Sequence, residues 1–226
     1  MQRKVVLWCF IIFILSFSVR FIYIYQMNRI DYLTWNAPFR DQHRVHSIAG
    51  VIANNDFFLK NKPYGQSPLY YYIVGIIYKI FGSGFYPVRI FQILLSSINA
   101  VLIFLCIRRL SKKIFSNSSL APAIIGGFLF TFYIPAIFYD GLLLRDGILI
   151  VFSGMLTYFL IAFFDTRKMR YIILLSILAG LMALARPNNV LVIMMVFGIL
   201  FIFNKKDNWF KNTIYCGIIL IGIIII

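Results

Sequence analysis

Long apolar runs, separated by short segments rich in lysine and arginine, leave this chain few ways to fold. The runs cover residues 5–25, 85–107, 119–138, 146–164, 170–185, 190–203 and 213–226. A helix needs roughly 20 apolar residues to cross the hydrocarbon core of a bilayer, and the first four runs have this length. The last three are shorter, and a turn at Arg186-Pro187-Asn188-Asn189 separates two of them. The pattern predicts an all-α, polytopic integral membrane protein with about seven transmembrane helices.

The composition excludes a soluble fold for this chain. Apolar residues make up 62% of it and charged residues 13%, whereas soluble domains have about 45–50% and about 25%. The formal net charge is +15, which in a soluble protein would suggest nucleic acid binding. Because no soluble basic segment is present to bind nucleic acid, we expect these charges to meet the lipid bilayer instead.

Four clusters of basic residues predict the orientation in the membrane. They are Arg3 and Lys4; Arg108, Arg109, Lys112 and Lys113; Arg167, Lys168 and Arg170; and Lys205, Lys206 and Lys211. The clusters fall in alternate connections, and connections rich in positive charge stay in the cytoplasm. Seven spans with a cytoplasmic N-terminus place all four clusters inside at once. We therefore expect most acidic residues, and the active face, on the extracytoplasmic side of a bacterial plasma membrane.

The first extracytoplasmic loop, residues 26–84, is much longer than the other connections, and long loops are commonly functional. Within residues 41–54, apolar side chains recur with helical spacing at Val45, Ile48, Ala49, Ile52 and Ala53. This spacing predicts an amphipathic helix that lies on the membrane. Residues 68–81 are apolar but too few to span comfortably. They predict an interfacial or re-entrant helix with its tyrosines at headgroup level.

Short motifs in this loop and beyond it follow a recognisable order. They are Asp41-Gln42-His43-Arg44, Asn55-Asp56-Phe57, Ser67-Pro68-Leu69-Tyr70-Tyr71-Tyr72, Phe81-Gly82 with Arg89, Leu144-Arg145-Asp146 and Ala185-Arg186-Pro187. This order resembles the GT-C fold glycosyltransferases that use polyprenyl-phosphate sugars, such as the protein O-mannosyltransferases and the lipid A aminoarabinose transferases. Gln42 stands where that family has a glutamate, and Ser67 stands where it has the first of two prolines.

The resemblance implies both a reaction and its location. A sugar would pass from a polyprenyl-phosphate donor to an acceptor at the extracytoplasmic face, with inversion by direct displacement. Residues 1–226 would form one transmembrane module, the seven-helix part of longer enzymes, because the chain stops inside an apolar run. The sequence identifies neither the sugar nor the acceptor, and it is compatible with a divalent metal.

Three aspartates are candidates for the acid–base chemistry of this transfer, which needs a carboxylate near the acceptor hydroxyl. Asp41 is the expected base, and the alternative is that it caps the helix that it opens. Asp146 and Asp140 lie where the third span ends and the fourth begins. Ionisable residues at membrane depth are costly and commonly functional. The alternative for these two is an ordinary loop position, with Asp146 capping the fourth span.

Arginines are the candidates for binding the donor phosphate, because a guanidinium group can match phosphate with two parallel hydrogen bonds. The expected phosphate ligands are Arg89, Arg186 and Arg44. Snorkelling to lipid headgroups is the alternative for Arg89 and Arg186, and it is the expected role of Arg20 in the first span.

Aromatic and histidine side chains complete the set of candidates. Tyr70, Tyr71 and Tyr72 are expected to line a groove for substrate or lipid, and the alternative is an aromatic belt. His43 and His46 have a spacing that can hold a metal on one helix face, but no convergent third ligand is evident apart from Asp41. Ordinary polar-face histidines are therefore favoured, and no metal site is predicted.

A second hypothesis is a non-enzymatic lipid-binding, flippase-like or assembly subunit of a cell-envelope polysaccharide system. Transporters commonly carry charges deep inside their spans and are built from internal repeats. Here the charges collect at the outer boundary and no repeat is evident, which favours the glycosyltransferase. An inactive relative is a third possibility that the sequence leaves open.

Overall fold

The computed structural model describes residues 2–29, 40–54, 67–114 and 119–186, together with the single positions Asn188 and Gly198. Every regular element in these ranges is an α-helix, as the apolar periodicity predicts. In chain order the helices are α1 (Gln2–Arg29), α2 (Arg40–Ala53), α3 (Pro68–Phe81), α4 (Phe85–Ile114), α5 (Ala121–Thr131), α6 (Ile134–Gly141), α7 (Asp146–Thr166) and α8 (Met169–Ala185).

Three of the described helices are long and apolar enough to cross a membrane, namely Gln2–Gln26, Phe85–Lys112 and Asp146–Thr166. They coincide with the first, second and fourth predicted runs, which confirms a helical membrane protein. The fifth run forms α8, which is apolar but shorter. The sixth and seventh runs lie outside the described residues, except for Gly198.

The third predicted run is not one straight helix. It divides into α5 and α6, which are bent by 43° relative to each other. Pro135 lies in the first turn of α6. Proline has no backbone N–H and clashes with the preceding turn, so it can begin a helix but cannot continue one. This proline explains the break between α5 and α6. Because of the break, carbonyl groups at the end of α5 lose the backbone N–H donors that a continuous helix would supply.

Helix α4 occupies the middle of the described bundle. It packs against α1, α5 and α7, and α7 packs in turn against α8. Small residues permit close approach: a Cβ atom at Gly127 of α5 would stand 2.7 Å from Cδ1 of Ile12 and 3.4 Å from Cβ of Phe104. Membrane helices commonly associate through such residues because backbone proximity increases van der Waals contact.

Helices α2 and α3 pack side by side at one end of the bundle. The predicted apolar stripe of α2 is present, and Val45, Ile48, Ala49 and Ile52 are all buried in one cluster with residues of α3. The stripe was expected to contact the membrane. In the structure it packs against α3 instead. Helix α3 has the predicted bounds and ends at Gly82, whose φ of 89° lies in the left-handed region that glycine adopts readily.

Candidate functional site

A polar cavity of about 100 Å³ opens where α2, the start of α3 and the start of α7 meet. Its charged and hydroxyl-bearing lining consists of Arg44, Arg145, Asp146 and Ser67. The rest of the lining is apolar or aromatic, from Val45, Tyr70, Tyr71 and Leu144. Four of these residues were predicted site residues from separate parts of the sequence: Arg44, Tyr70, Tyr71 and Asp146.

Arg145 is the charged lining residue that sequence reasoning did not select. Its Nη1 donates a hydrogen bond to Oγ of Ser67, across 78 positions of the sequence. Ser67 is 1% exposed and precedes α3, where its carbonyl oxygen accepts from the backbone N–H groups of Tyr70 and Tyr71. The available signal was the position of Arg145 next to Asp146, one residue before a predicted span.

Asp146 and Arg186 were predicted for different roles, and the structure brings them together. Nη1 of Arg186 lies 3.4 Å from Oδ1 of Asp146, and both side chains are partly exposed. Asp146 is the first residue of α7, and Arg186 directly follows α8. A partly exposed pair of this kind contributes about 0–1 kcal/mol to stability. Little free energy is therefore lost if the guanidinium group turns to another anion.

Two of the predicted tyrosines face the cavity rather than a headgroup belt. Tyr70 and Tyr71 are buried, while Tyr72 is half-buried against the apolar cluster of α2 and α3. Burial raises the pKa of Tyr70, which keeps its phenol protonated at neutral pH. Nε2 of Gln92 donates to the Tyr70 hydroxyl at 3.3 Å and to the Leu144 carbonyl at 2.9 Å. Gln92 thus joins two walls of the cavity.

Arg89 does not take part in this cavity. Its side chain is 1% exposed at the start of α4, and its guanidinium carbon lies 5.7 Å from the centre of the Phe85 ring. The predicted contact with a donor phosphate would require this buried group to move. Its role as a phosphate ligand has no support in the geometry of the described residues.

Asp140 and Arg20 form a buried ion pair, with Nε of Arg20 2.8 Å from Oδ2 of Asp140. The two side chains are 0% and 1% exposed, and neither belongs to the cavity lining. The expectation that Arg20 snorkels to lipid headgroups is wrong, because its side chain turns into the bundle toward a carboxylate and backbone carbonyls. Asp140 was predicted as a catalytic residue, and the structure places it beneath the cavity instead of in it.

Helix α2 carries the remaining candidates. Asp41 belongs to its first turn, but its side chain lies outside the described residues. Nδ1 of His46 is 2.9 Å from the hydroxyl of Tyr78. Burial lowers the pKa of His46 and raises that of Tyr78 to about 12, so a neutral imidazole can accept a hydrogen bond from the phenol. The histidine thereby ties α2 to α3.

The histidines and acidic residues of the described ranges do not converge on a common point. Within those ranges, no group of three or more His, Cys, Asp or Glu side chains could hold a metal ion. His46 has its ring between Tyr78 and Phe85, with ring centres 5.5 and 5.1 Å away. His46 was interpreted from the sequence as a polar-face histidine, whereas the structure packs it, partly buried, against aromatic side chains of α3 and α4.

The charges around the cavity decide what it can bind. Arg44 and Arg145 supply two guanidinium groups, Arg186 stands beside the cavity, and Asp146 supplies one carboxylate. Guanidinium groups are weakly hydrated and present planar pairs of donors, which suit phosphate oxygens. The buried tyrosines add apolar faces and hydroxyl groups. The arrangement fits a phosphorylated ligand that also carries a less polar part.

Of three comparisons with known proteins, one gives a match. Neither the comparison with curated proteins nor that with solved structures produced a match. A family model described as dolichyl-phosphate-mannose-protein mannosyltransferase matches residues 61–226, which include α3 to α8 and most of the cavity lining. Because the match covers well over half of the chain, this protein belongs to the dolichyl-phosphate-mannose-protein mannosyltransferase family, whose members are membrane glycosyltransferases.

Proposed function

We propose that this protein transfers a sugar from a polyprenyl-phosphate donor to an acceptor at the extracytoplasmic face, and that its polar cavity receives the donor phosphate. One observation carries the proposal. Elements distant in sequence bring Arg44, Arg145 and Asp146 to a single cavity at one end of a helical membrane protein. Family membership supports the same class of reaction.

The chemistry of the transfer explains why two arginines suit this place. An acceptor oxygen attacks the anomeric carbon of the sugar, and the bond from that carbon to the phosphate oxygen breaks. The electron pair stays on the phosphate, whose charge rises from one negative to two. Arg44 and Arg145 stabilise this developing charge with guanidinium donors, and that of Arg145 is already held in place by Ser67. Attack opposite to the leaving phosphate inverts the anomeric configuration.

The acceptor hydroxyl must lose its proton in the same step, and we assign this role to Asp41. Asp41 stands three residues before Arg44 in α2, which is about one helical turn. Its position in the helix is therefore close to the rim of the cavity. Asp146 is the second candidate, but one of its oxygens already lies near Arg186.

The orientation is part of the proposal. The cavity lies at the end of the bundle where α7 begins, and the basic residues Arg167, Lys168 and Arg170 lie at the other end of α7. Since clusters of positive charge stay in the cytoplasm, the cavity faces the extracytoplasmic side. Seven spans, including the runs 190–203 and 213–226, keep every basic cluster on the cytoplasmic side.

The test uses membranes that contain this protein and polyprenyl phosphates carrying a radiolabelled monosaccharide. Release of sugar from the lipid is compared between the wild type, Asp41→Asn and the control Asp165→Asn, whose position is at the far end of α7. We expect release by the wild type and the control, with a loss of about a hundredfold or more in Asp41→Asn, since a general base contributes 10²–10⁴-fold.

The possible outcomes separate the hypotheses. Release by both the wild type and Asp41→Asn would retain the enzyme class but move the base, with Asp146→Asn as the next variant. No release from any donor would contradict the transferase and favour a non-enzymatic lipid-binding, flippase-like or assembly subunit.

A further inference from the structure

One side chain of α1 joins the end of helix α5 to the last turn of helix α6. The Nη1 and Nη2 atoms of Arg20 donate to the carbonyl oxygens of Thr131 and Phe130, at 3.1 and 3.2 Å, just before α6 begins. Nε of the same guanidinium donates to Asp140, in the last turn of α6, at 2.8 Å. Nε also lies 3.2 Å from Oγ of Ser96, so α4 is joined to the same group.

These hydrogen bonds compensate for two sources of instability near α6. In a continuous helix the Thr131 carbonyl would accept from residue 135, which is a proline and has no N–H. An unsatisfied carbonyl is costly inside a bilayer. The Phe130 carbonyl already accepts from the backbone N–H of Tyr133 at 3.2 Å, so Arg20 is its second donor. Helix α6 has only eight residues, and so short a helix has little stability of its own. A buried guanidinium group has five N–H donors in a rigid fork, so it can satisfy the carbonyls and meet the carboxylate together.

The anchored helix leads directly to the cavity. Only residues 142–145 separate α6 from α7. Leu142 and Leu143 are almost wholly buried, and the Leu144 carbonyl accepts a hydrogen bond from Gln92. Arg145 and Asp146 follow at once and line the cavity. Because this connection is short and packed, a shift of α6 would also shift Arg145 and Asp146.

We propose that the Arg20–Asp140 pair is a positioning device that sets where Arg145 and Asp146 stand in the cavity. The inference rests on the proposed function insofar as those two residues act on the donor. Neither Arg20 nor Asp140 lines the cavity, so neither touches the donor. Asp140 accordingly has a positioning role in place of the catalytic role predicted from sequence.

The main test variant is Arg20→Met combined with Asp140→Leu. Replacing a buried ion pair by apolar residues of similar volume is often neutral for stability, but the fork to the carbonyls is lost. The matched control is Arg109→Met with Asp165→Leu, which removes an ion pair of 3.9 Å at the other end of α4 and α7. Arg20→Lys is a further variant that keeps the positive charge but cannot reach both carbonyls and the carboxylate.

Sugar release measured against donor concentration is the first readout. We expect kcat/KM to fall at least tenfold in the Arg20→Met/Asp140→Leu variant, measured well below its melting temperature. That temperature should also fall, because the Thr131 carbonyl loses the donor that Arg20 supplies. The control should stay within twofold in kcat/KM, and Arg20→Lys should lie between the two. A tenfold loss of rate in protein that is still folded distinguishes positioning from a purely structural role.

A second readout does not depend on activity. In a background with Cys9, Cys106 and Cys216 replaced by serine, Leu142→Cys places a thiol in the connection between α6 and α7, where the native side chain is 1% exposed. We expect a membrane-impermeant maleimide to label this thiol slowly when the Arg20–Asp140 pair is intact. Labelling should become at least tenfold faster when the pair is replaced.

Sugar release and thiol labelling together decide whether the proposal stands. Wild-type sugar release together with a shielded thiol, in the double variant or in Arg20→Lys, would overturn the proposal. If the double variant does not fold, Arg20→Lys decides by the same two readouts. If the wild type releases no sugar but replacement of the pair exposes the thiol, the proposed function fails and the positioning of the connection stands.

Discussion

Arginine has two contrasting environments at this end of the bundle. Arg44 and Arg145 face an open polar cavity, whereas Arg20 and Arg89 are almost wholly buried. From the sequence, Arg44 and Arg89 were predicted to bind phosphate, Arg20 was expected to snorkel, and Arg145 was not selected. The structure places Arg44 in the cavity lining, and its role as a phosphate ligand stays a prediction. Burial, which depends on neighbouring helices, is what separates the two groups.

The role of Arg145 can be tested with a conservative change. Arg145→Lys keeps the charge but loses the planar pair of donors that matches phosphate. We expect KM for a polyprenyl-phosphate sugar to rise on the order of tenfold, since a hydrogen bond to a charged group contributes about 1.5–3 kcal/mol. Arg170→Lys, at the start of α8 and far from the cavity, is the control. An unchanged KM in Arg145→Lys, measured by sugar release, would exclude Arg145 as a phosphate ligand.

Among the elements, α2 and α3 show how far periodicity can predict a fold. The spacing of apolar residues predicted a helix over 41–54, and an apolar run predicted one over 68–81; the structure has helices at Arg40–Ala53 and Pro68–Phe81. It could not predict that the apolar stripe of α2 packs on α3, because a stripe specifies a face and not the partner of that face. The pairing depends on Gly75 of α3, where a Cβ atom would stand 2.6 Å from Cγ2 of Ile52.

A paired substitution measures this close contact. Gly75→Ala should lower stability by about 1–3 kcal/mol, because the added methyl group overpacks against Ile52. Gly50→Ala, in α2 with no neighbouring atom within 4 Å of its Cβ position, should raise stability by about 0.5–1 kcal/mol by favouring the helix. Thermal unfolding in detergent, followed by tryptophan fluorescence, gives both values. Equal effects of the two changes would contradict close packing at Gly75.

For the molecule as a whole, the arrangement of charge predicts the orientation of the protein in the membrane. Four basic clusters fall in alternate connections along the chain. The described helices have connections short enough to alternate in direction, so the cavity and the Arg167–Arg170 segment lie at opposite ends of α7. If the Arg167–Arg170 segment lies in the cytoplasm, as the positive-inside rule predicts, the cavity faces the extracytoplasmic side. This orientation stays a prediction.

Cysteine accessibility in intact cells tests that orientation. In the background without native cysteines, Ser83→Cys, between α3 and α4, should react with a membrane-impermeant maleimide added outside. Lys168→Cys, between α7 and α8, should react only after the cells are permeabilised. Both native side chains are exposed, so burial does not confound the comparison. The reverse pattern would place the cavity in the cytoplasm and would contradict transfer at the extracytoplasmic face.

The sequence alone determined the helical membrane fold and the approximate positions of most of the described helices. These properties are local, because an apolar run or a helical period is complete within about 20 residues. Only the tertiary structure decided that Arg20 pairs with Asp140, 120 positions away, and that Arg145 meets Ser67, 78 positions away. A chain with 22 lysines and arginines offers many possible partners for each carboxylate. Helix packing selects among them, and it depends on contacts that no stretch of sequence contains by itself.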